Sequence, residues 1–400
     1  MSCVSSSPPI HQSSMRSALS FFFSSFFLIL SSIFTLTSPL EAIPEDHYEE
    51  HYQAEVIPWL ATHEQEFSFP SWDGLYSLCA LRLLHTPEER GEAPAKVILF
   101  LEGATDSWYL EEELFYDLFK RGYDIYTYDH RGQGTSPHLS PSDSEINHIE
   151  HFKDYTKDFQ KFLDLVKKEN PGSPLFLLAH SMGGAIAADY LENTISSPFS
   201  AIVLMTPMFE INFSKHGLHI SEETVLVDVS LNMVLNPSAA NQYAYPQEDG
   251  DVDWTKWTQQ MMHPRFAKMV ELCKEKPDIV VGGPSNQWLE EAIRASQSIR
   301  DQAAKIEESV LIITAQNDTM VINKTTEEAA SKIPKATCEM VEGASHTLLQ
   351  FDEDSLRNQA LDRIDSYFQH SIDLIDPQKA RPQRASELHQ AHACQRNAYE

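Results

Sequence analysis

The chain has 400 residues, 42% of them hydrophobic, enough for one large α/β domain with an insertion or for two ordinary domains. Its 59 acidic against 30 basic side chains give a formal charge of −29, which repels nucleic acid and anionic surfaces and argues against a polyanionic partner. The five cysteines, Cys3, Cys79, Cys273, Cys338 and Cys394, fit no metal motif and are too sparse to require disulfides.

No charge occurs between Arg16 and Glu41, and the interval carries Phe21-Phe22-Phe23, Phe26-Phe27-Leu28-Ile29-Leu30 and Ile33-Phe34. Such a segment meets a membrane, either as a signal peptide cut near Ala42 or as an uncleaved anchor, because about 20 residues span a bilayer. Arg16 before it and Glu45, Asp46, Glu49 and Glu50 after it favour an inside amino terminus. Residues 1–42 are read as that leader or anchor. The rest is expected to be exported: secreted, periplasmic, or held at a membrane facing outward.

Two short strands, Glu66–Phe69 and Leu75–Leu83, flank the turn signal Trp72-Asp73-Gly74 and predict a hairpin. From residue 96 the pattern becomes short apolar runs separated by helical stretches. The runs are Val97–Leu101, Tyr123–Tyr128, Leu175–Leu178 and Ala201–Met205, with helices near 109–121 and 150–169. That alternation predicts a parallel sheet. It stops for about 100 residues after Met205 and resumes with Val310–Thr314, a helix near 323–332, the strand Thr337–Val341 and a helix near 355–369. The expected organisation is therefore residues 43–206 and 306–371 as two halves of one sheet domain, 207–305 as an insertion, and 372–400 as a polar tail.

Leu175 to Leu178 lead at once into Ala179-His180-Ser181-Met182-Gly183-Gly184 and then a helix. A strand, a tight turn of small residues and a helix is the context in which a serine becomes a nucleophile, its hydroxyl projecting above the sheet. Ala179 stands where glycine is usual. Two further stretches, Asp129-His130-Arg131-Gly132-Gln133-Gly134 and Gly282-Gly283-Pro284-Ser285 with Trp288-Leu289, complete a resemblance over residues 65–370. The chain resembles the serine-hydrolase branch of the α/β-hydrolase superfamily that contains monoacylglycerol lipases and bacterial lysophospholipase L2. The resemblance implies the α/β-hydrolase fold: a mostly parallel central sheet flanked by helices, with a helical lid insertion.

A serine hydroxyl is a weak nucleophile until a base takes its proton and a third group holds that base in one tautomer. In this fold the order is serine, acid, histidine. Asp318 ends the run Leu311–Asp318 and His346 ends Met340–His346, so the catalytic set is read as Ser181, Asp318 and His346. The oxyanion needs two backbone N–H groups. One is expected from Met182 and the other, by the resemblance, from Ala104. Glu102 replaces the histidine that many members carry and is expected to point away from the serine. His130 and Arg131 are expected to tie loops together by hydrogen bonds.

The insertion is rich in aromatic and methionine side chains, among them Phe213, Tyr243, Trp254, Trp257, Met261 and Met262, which suits a cover over an acyl chain. The expected reaction is hydrolysis of a single-chain lipid ester, a lysophospholipid or monoacylglycerol, through an acyl-enzyme. It needs no cofactor and no metal. The expected partners are the lipid ester and, through the amino-terminal segment, a membrane, with no nucleic acid. A general carboxylesterase or a peptidase on the same fold is the alternative chemistry. A catalytically silent exported binding protein is the alternative class, against which the intact serine, acid and histidine argue.

Overall fold

The computed structural model describes residues 42–91, 94–141, 145–215, 218–245 and 263–375. The leader or anchor reading, apart from Ala42, lies outside the described residues, as do the tail beyond 375 and Trp254, Trp257, Met261 and Met262.

The apolar runs form strands at nearly their expected places: β1 (Glu64–Pro70), β2 (Ser77–Leu83), β3 (Val97–Leu101), β4 (Asp124–Tyr128), β5 (Leu175–His180) and β6 (Phe199–Met205). A small ribbon of β7 (Phe213–Lys215) and β8 (Leu218–Ile220) follows, then β9 (Val310–Ala315) and β10 (Ala336–Val341). Eight of them build one sheet in the order β1-β2-β4-β3-β5-β6-β9-β10. β1 pairs antiparallel with β2, and β2 with β4; every other pairing in the sheet is parallel.

Alternation along each strand sorts the side chains onto two faces. On β3, Val97, Leu99 and Leu101 join the helices Lys153–Glu169, Met182–Glu192 and Asn286–Gln302, whereas Ile98 and Phe100 join Glu112–Lys120 and Asp354–Ile375. Helices on both faces explain why the parallel strands read as continuous apolar runs.

Between β6 and β9 the chain forms the helices Glu222–Leu235, Pro264–Glu275 and Asn286–Gln302. The last is capped by Ser285, whose hydroxyl accepts from the Trp288 N–H at 3.0 Å. It buries Trp288, Leu289, Ala292 and Ile293 against the core and packs on Met182–Glu192. The carboxyl end of this segment is thus a layer of the sheet domain.

Residues 48–63, for which the sequence suggests no element, are helical with a π turn at Tyr52–Val56. Tyr48, Tyr52, Val56, Trp59 and Leu60 are buried. The Tyr48 hydroxyl donates to Glu113 at 2.9 Å and the Tyr52 hydroxyl donates to Glu112. Arg265, buried in the insertion, pairs with Glu45, Glu113 and Asp354, while Arg357 pairs with Glu113 and Asp117. Removing one member of such a network strands a buried charge. Cys79, Cys273 and Cys338 are free thiols.

Candidate active site

β5 runs into Ser181, which takes φ 51° and ψ −113°, and a helix opens at Met182. A non-glycine residue in this region is strained. Close packing holds it there: a Cβ on Gly183 would lie 2.4 Å from the Leu101 carbonyl oxygen and 2.6 Å from that of Glu102. Only glycine lets the turn sit this close to the loop after β3. Ala179, in the usual glycine position, is fully buried between Leu101 and Leu204 of the adjoining strands. Its methyl packs into the core.

The three residues expected to carry the chemistry meet. Ser181 Oγ lies 2.9 Å from His346 Nε2, and His346 Nδ1 lies 2.8 Å from Asp318 Oδ2. Asp318 Oδ1 accepts the Met320 and Val321 N–H groups at 2.8 and 2.9 Å, which fixes the carboxylate plane. A carboxylate can only accept, so Nδ1 carries the hydrogen and Nε2 offers its lone pair to the serine hydroxyl. The Asp318 side chain is fully buried and that of His346 is 11% exposed, so the relay is shielded from water.

Met182 opens its helix, so its N–H has no intrahelical partner. The loop bearing Ala104 lies alongside: a Cβ on Gly103 would stand 3.4 Å from Ser181 Cβ. Gln133 pins that loop by donating to Glu102 Oε1 at 2.8 Å, to the Gly103 carbonyl at 2.8 Å and to the Asp106 carbonyl at 3.2 Å, while accepting the Thr105 N–H at 3.1 Å. Glu102 turns towards Gln133 and the His130 N–H. Burial and the nearby Asp129 and Asp106 raise its pKa well above the ordinary carboxyl range. Asp129 is a second hub, accepting from Ser107, from the Trp108 N–H and from Thr135.

Arg131 ties loops as expected, reaching Asp158 and Asp73. His130 does so only through its backbone. Its buried ring meets Tyr128 and Tyr155 edge-on, with neither ring nitrogen hydrogen-bonded, and burial holds its pKa down to about 3.

The sequence reading passed over His180. Its Nε2 lies 3.1 Å from the His346 carbonyl oxygen, which also accepts the Thr206 hydroxyl at 3.1 Å. His180 and Thr206 therefore anchor the backbone of the residue that faces Ser181. Adjacency to the serine was the available signal.

Sheet order, strained turn and relay place the chain in the serine-hydrolase class of the α/β-hydrolase fold. Residues 92–354 match the family described as serine aminopeptidase, S33, and the chain belongs to it. It is 28% identical over 334 residues to probable lysophospholipase L2 of Haemophilus influenzae, spanning 81% of this chain and 98% of that protein. To lysophospholipase L2 of Escherichia coli K12 it is 28% identical over 292 residues, 70% of this chain and 82% of that one. Human monoglyceride lipase is 32% identical over 117 residues, 29% of this chain and 36% of that one. A soluble variant of monoglyceride lipase from Saccharomyces cerevisiae shares the fold with a TM-score of 0.60 at 17% identity, over 78% of this chain and 96% of that one.

Proposed function

We propose that the protein hydrolyses carboxylic esters bearing one acyl chain on a small polar head, a lysophospholipid or a monoacylglycerol. The observation that carries this reading is the unbroken relay from Asp318 through His346 to Ser181. Ser181 Oγ attacks the ester carbonyl as His346 Nε2 takes the hydroxyl proton, and the carbonyl π electrons move onto oxygen. The Met182 and Ala104 N–H groups receive that oxyanion. Its collapse expels the head-group alcohol, protonated by His346, and leaves an acyl-Ser181. Water, deprotonated by His346, attacks the acyl carbon and releases the fatty acid.

Likeness over almost the whole length of a lysophospholipase L2 favours an ester over a peptide, although the family description names a peptidase. Exposed Val227, Leu231, Val234 and Leu235, at spacings of four, three and one on the helix Glu222–Leu235, offer an apolar stripe suited to a lipid aggregate. Residues 1–42 would deliver the domain across a membrane as a leader or anchor. Among the described residues no helix is long and apolar enough to cross one.

The test is labelling by a phosphonofluoridate probe, expected on Ser181 and abolished by Ser181→Ala, followed by p-nitrophenyl esters of increasing chain length. Each buried methylene contributes about 0.8 kcal/mol, about fourfold in the specificity constant, so activity should climb beyond butyrate. Monoacylglycerol or lysophosphatidylcholine should then outpace triacylglycerol. Peak activity on acetate, or a preference for triacylglycerol, would refute the assignment.

A further inference from the structure

His180 has a second ring nitrogen, Nδ1, to which the contact with His346 gives no partner. Asp106 follows β3, and Glu111 ends the 3-10 turn Trp108–Glu111. These two acids and His180 each offer one donor atom, all within 4.8 Å of one another. Asp106 is 7% exposed and Glu111 is 1% exposed. Among the described residues neither makes an ion pair. Gln350, four residues past His346, donates to Asp106 Oδ2 at 2.9 Å and also to Glu111.

A carbonyl only accepts, so the contact to the His346 oxygen fixes the hydrogen of His180 on Nε2 and leaves a lone pair on Nδ1. That nitrogen is buried without a hydrogen-bond partner, and so is Glu111 Oε2. Glu111, His180 and Gln350 line one small cavity whose other walls include Phe100, Leu114 and Met205. Two buried lone pairs without partners forgo hydration unless something electron-poor lies between them.

We propose that Asp106, Glu111 and His180 bind one divalent cation of the first transition row, with Gln350 holding both carboxylates in place. Two carboxylates and an imidazole suit Zn2+ or Mn2+. Ligands at about 2.1 Å from a tetrahedral ion lie about 3.4 Å apart, so donors now within 4.8 Å of one another would draw together by up to about 1.4 Å. The ligand chemistry agrees. The contact to the His346 carbonyl keeps the His180 hydrogen on Nε2 and its lone pair on Nδ1, the form in which an imidazole ligates a metal. The ion would join the loop after β3, the 3-10 turn, the residue before Ser181 and, through Gln350, the segment after His346. His180 would then hold the His346 backbone from a fixed point. The donors sit at positions 106, 111 and 180 with no motif spacing, which is why the sequence suggested no metal.

The test uses the full chain, stripped with a chelator and titrated calorimetrically with Zn2+ and, separately, Mn2+ at pH 7.5, with Tm followed in parallel. The expected result is one saturable site with a Kd in the micromolar range or below and a raised Tm. Glu111→Gln and Asp106→Asn should each weaken it at least about 100-fold. His346→Ala should retain it, because the hydrogen bond that orients His180 is accepted by the His346 backbone carbonyl, and the ring lost, 5.1 Å away, is not one of the donors. Binding lost in His346→Ala but kept in Glu111→Gln would put the ion on the catalytic histidine and overturn the proposal. A wild-type chain that takes up neither ion would overturn it as well and leave Asp106 and Glu111 sharing a proton. Neither readout depends on ester hydrolysis.

Discussion

Gly183→Ala probes the site with a single methyl. The new Cβ would lie 2.4 Å from the Leu101 carbonyl oxygen, where real contacts stay above 3.0 Å, so the turn and the loop must part by the difference, at least about 0.6 Å. Both obstacles are backbone oxygens, so no side-chain rotamer can relieve the clash. Overpacking of this kind costs about 1–3 kcal/mol and should lower Tm by a few degrees. The movement opens the gap between the Met182 and Ala104 N–H groups proposed to receive the oxyanion, and loss of one such donor costs about 10²–10³ in kcat. On a medium-chain p-nitrophenyl ester, kcat should therefore fall at least about 100-fold with KM little changed, and phosphonate labelling of Ser181 should slow in step. Gly184→Ala is the control. Its Cβ meets the Pro207 ring at 2.7 Å and the Pro207 Cα at 3.0 Å, so it should reduce stability more than turnover. Wild-type kcat in Gly183→Ala would show that the close approach to the loop does not position the oxyanion donors.

Asp318→Asn should reduce kcat by about 10⁴-fold by disturbing the His346 tautomer, with Tm nearly unchanged; a silent variant would make another carboxylate the third member. Burial raises the Glu112 pKa from 4.5 to about 7, so the folded chain holds an extra proton in that interval and the stability it confers is lost as pH rises through 7. Glu112→Gln keeps an acceptor for Tyr52 and cannot ionise. Its stability relative to wild type, followed by denaturant unfolding, should increase from pH 5 to pH 8 by about 2–3 kcal/mol, and a difference constant with pH would contradict the sign. Residues 1–50 fused to a reporter active only after export should give signal outside the cytosol, and retention inside would sink the leader reading.

How much could be read from the sequence follows from where each signal resides. The β3, β5 and β9 strands are covered on both faces, so Val97–Leu101, Leu175–Leu178 and Val310–Thr314 stood out as apolar runs. Ser181 and Asp318 follow the tips of β5 and β9, two such strands, while His346 follows β10, the half-exposed edge strand, and strand order then brought the three together. The helical residues 48–63 gave no such cue. Their acidic side chains looked like the polar flank of a leader, and the burial of Tyr48 and Tyr52 depends on Glu112, Glu113 and Arg265, which arrive from remote parts of the chain. The hydrogen-bonding roles of Gln133 and Gln350 were likewise silent, because hydrogen bonds between loops leave no periodicity behind.

The pairing of β6 with β9 joins Ile202 to Val310 across roughly a hundred residues of intervening chain. Contacts of such long sequence separation form late, because the loop must be closed before they reward it. The β1–β2 hairpin, linked by a short turn, faces no such delay. Until β9 docks, Asp318 and His346 have no fixed position opposite Ser181, however well the first half has folded. Regain of ester hydrolysis during refolding would thus time the final closure of the sheet, trailing the recovery of helical signal.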